Sequence, residues 1–372
     1  MRPDLVAIPD LVTIAEHFRF EGDFLEASPY GFGHINDTYT VHFGKADGVV
    51  RRYVLQRINQ NVFRNPEALM QNVERVTAHL RKKIVAAGGD AERETLNLVP
   101  TVGGRTWTKT DDGNYWRAYI FIAGARTYQV VESLDHVYNV AKAFGRFQKL
   151  LGDFPAEQLT ETIPDFHHTG KRFDAFVEAV ERDVRNRARS VETEIKFVEK
   201  RAGETSVLVD LLERGELPNR VTHNDTKFNN VMIDDETGAG ICVIDLDTVM
   251  PGLSLYDFGD AVRSGANPAA EDERDLSKVW FDLDIFDCFA HGYLDAARDF
   301  LTATEVDYLP FSARLMTLEC GMRFLTDHLN GDIYFKVHRE NHNLDRCRTQ
   351  FNMVQDMEEK FERMEEIVAR YR

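Results

Sequence analysis

The spacing of apolar residues changes near residue 124, and this change constrains the fold more than any other feature. Before it, runs of β-forming residues such as 37–43 and 49–58 are separated by turn signals. After it, apolar residues recur three and four positions apart, which is typical of amphipathic helices. The sequence therefore predicts an α+β protein with a β-rich N-terminal lobe over residues 1–124 and a mainly helical C-terminal lobe over residues 125–372.

Local signals predict where individual elements lie. Residues 65–67, Asn-Pro-Glu, are typical of a helix start, with a capping side chain, a first-turn proline and an acid. Residues 173–200 form a second long amphipathic pattern of the helical kind. Residues 231–234 and 241–244 predict two short strands that a turn joins into an antiparallel pair.

Composition excludes several classes of protein. The 45 Lys and Arg against 62 Asp and Glu give a formal net charge of −17, which repels polyanions and disfavours nucleic-acid binding. The four cysteines are too far apart for a metal or redox motif, and no run of 18 apolar residues predicts a membrane span. The first residues lack the apolar core of a signal peptide. We expect a cytoplasmic protein, a monomer or weak homodimer, with no nucleic-acid or membrane partner.

The most informative stretch is a polar loop followed by a hairpin. It contains His223, Asp225 and Asn230 in the pattern HxDxxxxN, then a turn, and then Asp245 at the end of the next strand. In an antiparallel pair, the start of one strand lies beside the end of the other. We therefore expect Asn230 and Asp245 to lie together, with Asp225 on the loop just before them.

These residue types suit phosphoryl transfer. The amide oxygen of Asn230 and the carboxylate of Asp245 are hard oxygen ligands for a Mg²⁺ ion that holds phosphates. Asp225, which the metal does not need, can accept the proton of an attacking hydroxyl. This is the arrangement of the protein-kinase class, so the pattern predicts an ATP- and Mg²⁺-dependent phosphotransferase. The alternative is a polar hairpin whose Asp and Asn side chains only form turns.

Two further aspartates near this motif compete for the metal role. Asp257 stands in the string DFG, but it follows both hairpin strands, and we interpret it as a helix N-cap or a brace for the catalytic loop. Asp247 shares a strand face with Asp245 if the strand continues through both. We favour Asp245 as the ligand because the chain is expected to leave the ladder from Leu246 onward.

Seven strings carry a resemblance to one family. They are YGFGHINDTY, YVLQRINQNVF, THNDTKFNNVM, VIDLDTVMPG, YDFGDAVRSGA, RFLTDHLNGDIYFK and HNLDRCRTQ. The chain resembles the N-acetylhexosamine 1-kinases, within the aminoglycoside phosphotransferase and choline kinase superfamily. The resemblance implies a two-lobed protein-kinase-like fold and a role in carbohydrate metabolism, in which ATP phosphorylates the anomeric (C1) hydroxyl of GlcNAc or GalNAc. It also implies a catalytic base at Asp225 and Mg²⁺ ligands at Asn230 and Asp245.

The resemblance places a basic strand residue against the ATP phosphates, and Arg57 in the string LQRI falls at that position. A guanidinium supplies charge and a bidentate fork for phosphate oxygens. Its acidic partner on the following helix is expected to be Glu67 or Glu74. We favour Glu74, which is one residue from the apolar stripe of that helix.

A glycine-containing segment stands where a loop would cover the phosphates. Gly31 and Gly33 allow the backbone to approach a phosphate closely. His34 and Asn36, in the same segment, can hydrogen-bond a sugar. An ordinary β-turn would explain the two glycines equally well.

The adenine of ATP and the sugar substrate each need binding residues of their own. Adenine recognition is expected at the backbone groups of Phe121 and Ile122, next to the predicted hinge between the lobes. By resemblance, Arg323 and Tyr334 are the sugar-binding residues of the helical lobe, and Arg346 is a further candidate. Such donors discriminate because a site that leaves them unpaired loses binding energy.

Other functions compete with this hypothesis. Another small-molecule kinase, acting on a different sugar, choline, homoserine or an aminoglycoside, would use the same catalytic residues. A nucleotide-binding pseudokinase scaffold is a different class, but Asp225, Asn230 and Asp245 are all present. A protein kinase is disfavoured because the string HNDTKFNN lacks the arginine of the HRD motif.

Overall fold

A computed structural model describes residues 10–31 and 35–372, so the predicted ligand-binding residues Gly33 and His34 lie outside the described residues. The backbone forms two compact units, one that ends at Gly124 and one from Ala125 to Arg372. The elements of the first unit are α1 (Leu11–Ala15), β1 (Asp23–Pro29), β2 (Asp37–Gly44), β3 (Val50–Ile58), α2 (Pro66–Ala86), β4 (Trp107–Lys109) and β5 (Tyr115–Ile120).

The first unit is built on an antiparallel sheet of five strands in the order β1-β2-β3-β5-β4. Successive side chains of a strand point to opposite faces, and Tyr53 and Leu55 of β3 are accordingly buried in one core cluster. Helix α2 begins where the sequence predicts, because the Asn65 side chain accepts a hydrogen bond from the backbone N–H of Ala68 at 3.1 Å.

The second unit is mainly helical. Its elements are β6 (Ala125–Arg126), α3 (Leu134–Leu150), α4 (Thr169–Arg182), α5 (Glu192–Glu199), α6 (Val207–Glu213), β7 (Arg220–Thr222), β8 (Val231–Asp234), β9 (Gly240–Val243), β10 (Met250–Gly252), α7 (Ser254–Gly265), α8 (Leu283–Ala297), α9 (Ala303–Asp307), α10 (Leu309–Asn330), α11 (His342–Glu359) and α12 (Phe361–Tyr371). Strands β8 and β9 confirm the predicted antiparallel pair, and β7 pairs with β10.

The long amphipathic pattern over residues 173–200 is divided between two helices. Helix α4 ends at Arg182, where Asp183 adopts a left-handed backbone with φ 33°. The Asp183 carboxylate then accepts hydrogen bonds from the N–H groups of Arg187 and Ala188, at 2.7 and 3.0 Å. An aspartate that satisfies backbone donors locally competes with helix continuation, so the pattern divides into α4 and α5.

Helices α3 and α8 approach each other closely through two glycines. A Cβ on Gly145 would meet the carbonyl oxygen of Tyr293 at 2.5 Å, and one on Gly292 would meet that of Tyr138 at 2.4 Å. The close packing matters for the site because Phe144 and Phe147 of α3 contact the ring of His223, with centroids 6.1 and 6.0 Å away.

The prediction of an α+β fold, with β structure first and helices second, is confirmed. One core cluster of the second unit forms where α4, α5, α10 and α11 bury apolar side chains against one another. Within the described residues, none of the helices combines the length and the apolar character that crossing a membrane requires.

Candidate active site

The catalytic loop, defined here as residues 223–230, connects β7 to β8 and carries Asp225. Its second residue, Asn224, has a left-handed backbone with φ 64°, a conformation that asparagine tolerates better than most residues. The Asn224 side chain donates to the carbonyl of Thr248 at 2.9 Å and accepts from the Thr222 hydroxyl at 3.0 Å. The backbone that leads into Asp225 is therefore held in a single conformation.

Asp257 braces this loop from helix α7. Its carboxylate accepts hydrogen bonds from the N–H groups of His223 and Asn224, at 2.9 and 2.8 Å, and from the side-chain amide of Gln148. Burial raises the pKa of Asp257, while these donors and His223 oppose the rise. Asp257 is the fourth residue of α7 rather than its cap, so the interpretation as a brace is confirmed.

His223 connects the loop to the following hairpin. Its Nδ1 accepts a hydrogen bond from the N–H of Asp225 at 3.2 Å, and its Nε2 donates to the carbonyl of Ile244 at 2.8 Å. These two contacts select the tautomer with the proton on Nε2. His223 therefore orients the segments that carry Asp225 and Asp245.

The structure brings Asn230 and Asp245 together as the strand argument predicts. The N–H of Ile244 donates to the backbone carbonyl of Asn230 at 2.9 Å, so Asp245 directly follows a residue hydrogen-bonded to Asn230. The side-chain amide of Asn230 donates to the carbonyl of Asp225 at 2.8 Å. Asn230 is therefore hydrogen-bonded both to Asp225 and to the residue that precedes Asp245.

The ladder ends earlier than the sequence suggests. Strand β9 stops at Val243, and Asp245 has a left-handed backbone with φ 59° at the start of a short 3₁₀ helix, Leu246–Thr248. Asp247 lies within that helix and is buried. The two aspartates consequently do not share a strand face, and Asp245 stands at a sharp turn of the backbone, as functional residues often do.

The donor set of this turn fits a magnesium ion. Mg²⁺ is usually held by one or two protein oxygens together with phosphate oxygens and water, rather than by a cage of protein ligands. An amide oxygen from Asn230 and a carboxylate from Asp245 match that pattern. Among residues 10–31 and 35–372, no group of three or more His, Cys, Asp or Glu side chains forms a closed metal site.

Lys227 is a residue of this site that the sequence reasoning missed. Its ammonium nitrogen lies 2.9 Å from Oδ1 and 3.2 Å from Oδ2 of Asp225. The charge of Asp225, more than that of Asp260, raises the pKa of Lys227. A cation two positions after the predicted base, in the same loop, was the signal that could have identified it.

Helix α7 holds the middle of the loop through a second aspartate. Asp260 accepts a hydrogen bond from the N–H of Thr226 at 3.0 Å, and the guanidinium of Arg263 donates to Asp260 at 2.8 Å. Burial alone would raise the pKa of Asp260, but Arg263, His167 and Lys227 outweigh it and lower the pKa. Asp260 thus supports the backbone between Asp225 and Lys227.

The predicted sugar-binding residues Arg323 and Tyr334 lie in an aromatic setting. The guanidinium carbon of Arg323 lies 5.2, 6.0 and 5.6 Å from the ring centroids of Phe166, Tyr334 and Phe335. Arg172 donates through Nε and Nη2 to the backbone carbonyl of Phe166, at 3.1 and 2.8 Å, and burial together with the charge of Arg323 lowers its pKa. We call these five residues the Arg323 cluster. Tyr334 is 64% exposed.

Asp327 holds the backbone that carries Tyr334. Its carboxylate accepts hydrogen bonds from three consecutive N–H groups, those of Ile333, Tyr334 and Phe335, at 3.0, 2.8 and 3.0 Å. Asp327 is buried, and a buried carboxylate requires such donors. The exposed tyrosine is therefore presented by a rigid turn.

Arg346, the weaker sugar candidate, is engaged in structural contacts. It donates to the carbonyl of Lys336 and to the side chain of Asn343, both at 3.3 Å, and its guanidinium lies 5.4 Å from the centroid of Phe324. Its role in substrate binding stays a prediction.

In the first unit, Arg57 pairs with Asp37 rather than with a glutamate of α2. Asp37 faces Arg57 across β2 and β3, and the Arg57 guanidinium donates to its carboxylate through Nε at 2.7 Å and also through Nη2. Glu67 accepts from the Tyr115 hydroxyl at 3.1 Å, and Glu74 accepts from the Thr106 hydroxyl. The expected partner was wrong because cross-strand register brings Asp37 directly opposite.

The structure describes some of the residues predicted to cover the phosphates and to bind adenine. Gly31 has a φ of 80°, with nothing within 4 Å of an added Cβ, and the Asn36 side chain accepts from the N–H of Asn59 at 3.0 Å. At the predicted adenine segment, the Phe121 N–H donates to the backbone carbonyl of Arg52 at 3.2 Å, and Ile122 is buried. Adenine binding there stays a prediction.

Comparison with known proteins places the chain among phosphotransferases. A model of the phosphotransferase enzyme family APH matches residues 26–286. A microcompartment-associated aminopropanol kinase is 15% identical with a TM-score of 0.56, over 95% of this chain and 98% of that chain. An amicoumacin kinase in complex with AMP-PNP, Ca²⁺ and Ami is 11% identical with a TM-score of 0.57, over 94% and 92%.

A third similar structure is an aminoglycoside phosphotransferase from Alicyclobacillus acidocaldarius subsp. acidocaldarius. It is 12% identical with a TM-score of 0.61, and the match covers 98% of this chain and 97% of that chain. At these identities the likeness establishes the fold alone. It confirms the predicted kinase-like α+β fold.

Proposed function

This chain belongs to the phosphotransferase enzyme family APH, and we propose that it is an ATP- and Mg²⁺-dependent kinase for the anomeric hydroxyl of N-acetylhexosamines, GlcNAc or GalNAc. Family membership makes it a small-molecule phosphotransferase. The substrate proposal is carried by one observation, the pair of guanidinium groups of Arg172 and Arg323 beside the exposed ring of Tyr334.

This pair of charges argues against a cationic substrate. Two guanidinium groups repel the ammonium groups of aminoglycosides, choline and ethanolamine, because like charges in a partly buried site interact strongly. The alternative substrates that are amino alcohols or aminoglycosides all carry an ammonium group. A neutral N-acetylated sugar carries none, and its acetamido and hydroxyl oxygens accept hydrogen bonds.

Arg323 has donors to offer such a sugar. No described residue accepts a hydrogen bond from its guanidinium, which instead lies among the rings of Phe166, Tyr334 and Phe335. Aromatic rings suit the apolar faces of a sugar, and the guanidinium suits its oxygens. A substrate that pairs these donors gains affinity over one that leaves them unpaired.

In the proposed reaction, Asp225 accepts the proton of the anomeric hydroxyl. The freed oxygen forms a bond to the γ-phosphorus, and the bond from that phosphorus to the β-phosphate oxygen breaks, so its electron pair leaves on ADP. Lys227, which is paired with Asp225, keeps this carboxylate oriented and places a positive charge near the transferred group. A hemiacetal hydroxyl is more acidic than an ordinary alcohol, so a modest base suffices.

Asn230 and Asp245 would hold the Mg²⁺ ion, which supplies charge compensation for the phosphates when bound. His223 keeps the backbone of both Asp225 and Asp245 in place through its two ring nitrogens. In the first unit, Arg57 would offer its guanidinium to phosphate oxygens in place of Asp37. Gly31, Asn36, Phe121 and Ile122 stay candidates for nucleotide or sugar contacts.

A direct assay tests the proposal. The protein is incubated with Mg²⁺ and ATP and, in turn, GlcNAc, GalNAc, galactose, choline, ethanolamine and kanamycin, and the product is identified by ³¹P NMR. We expect an anomeric phosphate from an N-acetylhexosamine. Phosphorylation of choline, ethanolamine or kanamycin alone would contradict the substrate proposal and leave the kinase reaction intact. The absence of turnover with intact nucleotide binding would favour a scaffold.

A further inference from the structure

His167, just before helix α4, joins the catalytic loop to helix α10. Its Nδ1 lies 2.8 Å from Oε1 of Glu319, and its Nε2 lies 3.0 Å from the backbone carbonyl oxygen of Asn224. Both side chains of the pair are almost completely buried, with 5% of His167 and 1% of Glu319 exposed. No part of the proposed mechanism so far uses this pair.

The two contacts of His167 together need two hydrogens. A neutral imidazole carries one and a carboxylate carries none, so one additional proton is required. A backbone carbonyl only accepts, so Nε2 must carry a hydrogen. Nδ1 then has a hydrogen of its own or accepts one from a protonated Glu319. The second oxygen of Glu319 accepts from the Thr169 hydroxyl at 2.5 Å. Although burial alone would raise the pKa of Glu319, His167, Arg323 and Thr169 lower it, which favours the carboxylate. The carboxylate opposite Nδ1 and the carbonyl opposite Nε2 only accept, so both ring nitrogens must carry a hydrogen.

The contact acts on the peptide unit that carries the predicted base. The carbonyl of Asn224 and the N–H of Asp225 belong to the same planar peptide. His167 binds the carbonyl of this peptide, and Nδ1 of His223 accepts its N–H at 3.2 Å. Two histidines therefore fix the orientation of the peptide from which the Asp225 side chain projects.

We propose that His167 is a positioning residue, an imidazolium paired with Glu319 that holds the Asn224–Asp225 peptide, and that loss of its extra proton releases the catalytic loop. This inference rests on the proposed role of Asp225. It concerns the state of the loop, not the identity of the sugar.

The charged groups around His167 come from three helices. Glu319 and Arg323 face it from α10, Arg172 and Thr169 lie on α4, and Asp260 and Tyr256 face it from α7. Arg323 lowers the pKa of Glu319, and Arg263 and Lys227 lower the pKa of Asp260.

Removal of the extra proton creates a conflict that the buried site cannot resolve. If the remaining hydrogen stays on Nε2, the lone pair of Nδ1 faces the Glu319 carboxylate. If it stays on Nδ1, the lone pair of Nε2 faces the carbonyl of Asn224. Either arrangement places two acceptors together without water, which is unfavourable. The easier relief is movement of the loop.

The Glu319→Gln variant separates charge from geometry. An amide at this position can donate to Nδ1 of a neutral His167, while Nε2 still donates to Asn224. The contact to the loop therefore survives without the extra proton. His167→Gln, in contrast, removes the imidazole. His42→Gln is the matched control, because His42 also pairs with a glutamate, Glu26 at 2.9 Å, but on strand β2 of the first unit.

The experiment combines ¹⁵N NMR of the histidine rings with kcat measured across a range of pH. In the unmodified protein, we expect both ring nitrogens of His167 to carry hydrogen at neutral pH, and kcat to fall on the alkaline side. His167→Gln should lower kcat about tenfold, with the KM for the sugar within about twofold, and should remove that alkaline fall. Glu319→Gln should keep kcat within about threefold and also remove the fall. His42→Gln should match the unmodified protein in both measurements.

A singly protonated His167 ring at neutral pH would overturn the inference. So would a His167→Gln or Glu319→Gln protein that retains the unchanged alkaline profile. If His167→Gln does not fold, the NMR of the unmodified protein and the Glu319→Gln profile still decide. A sugar phosphate product combined with a neutral His167 rejects this inference alone, whereas an imidazolium without any sugar phosphate rejects the substrate proposal alone.

Discussion

Two arginine–carboxylate pairs, one in each unit, lie in different surroundings. Arg220 of β7 donates to Glu305 through Nε and Nη2, both at 2.6 Å, and the two side chains are 12% and 2% exposed. Arg57 of β3 donates to Asp37, and those side chains are 29% and 47% exposed. The first pair lies at the strand that enters the catalytic loop, and the second lies at the sheet position predicted to face phosphates.

The difference shows that a buried ion pair anchors the fold, whereas an exposed ion pair can exchange its partner for a ligand. If a buried pair is broken, one charge stays buried without a partner and away from water. The Arg220–Glu305 pair therefore holds strand β7 firmly. An exposed pair contributes little because water and salt compete with it. Asp37 can therefore yield its place to a phosphate oxygen at small cost. Rigid chemistry in the second unit and exchangeable contacts in the first are what the proposed kinase requires.

The largest expected effect is that of changing the predicted base Asp225, on the loop that follows the anchored strand β7. Asp225→Asn should lower kcat by about 10²–10⁴-fold, because an amide cannot accept the hydroxyl proton. Steady-state kinetics with the accepted sugar measure it, and Asp235→Asn, in the exposed β8–β9 turn where Asp235 pairs with Arg126, is the control. Undiminished turnover of Asp225→Asn would remove Asp225 from the role of base.

Breaking the buried pair should destabilise the fold. Glu305→Gln leaves the Arg220 charge buried, so the free energy of unfolding should fall by about 3 kcal/mol at neutral pH. Burial alone would raise the pKa of Glu305, but Arg220, Ser254 and Thr302 lower it below its usual 4.5.

The pH dependence of this effect has a definite sign. A carboxyl with a lowered pKa stabilises the fold above its unfolded-state pKa, and this contribution is lost as the pH falls through the folded-state pKa. Urea unfolding should therefore show the largest gap between the two proteins near neutral pH and a shrinking gap in acid below about pH 4.5. A gap that widens in acid would contradict the assignment.

A third carboxylate extends the comparison to the sugar site. Asp327 anchors backbone N–H groups instead of an arginine, so Asp327→Asn should loosen the turn that presents Tyr334. We expect the KM for the sugar to rise about tenfold with kcat within about twofold, since loss of such hydrogen bonds costs about 1–3 kcal/mol. Asp307→Asn, at an exposed pair with Arg372, is the control. An unchanged KM would separate Tyr334 from substrate binding.

The smallest effect is expected at the exposed pair. Asp37→Asn should change the free energy of unfolding by less than about 1 kcal/mol. The KM for ATP should stay the same or fall, because Arg57 no longer has a carboxylate competing for it. A double-mutant cycle with Arg57→Gln measures the coupling between the two side chains. A coupling above about 2 kcal/mol would show that this pair anchors the sheet as the buried one does.

Much of the site was predictable because its geometry is local in sequence. The adjacency of Asn230 and Asp245 follows from a short turn between two strands, and the helix start at Asn65 follows from its cap. Lys227 was not predicted, although it stands only two residues after Asp225. The Arg57 partner was missed because the β2–β3 register, and not the order of residues along the chain, sets Asp37 opposite it. The place where the pattern over 173–200 divides was not predicted, because it depends on the left-handed backbone of Asp183.

The sequence by itself determined the class of fold and predicted which residues would carry phosphoryl transfer. Apolar periodicity and short-range turns depend only on neighbouring residues, so they can be read along the chain. Only the tertiary structure decided which contacts distant in sequence hold these residues in place. His167 meets Glu319 across 152 positions and Arg220 meets Glu305 across 85. Burial, which sets the strength of such contacts, exists only in the folded chain.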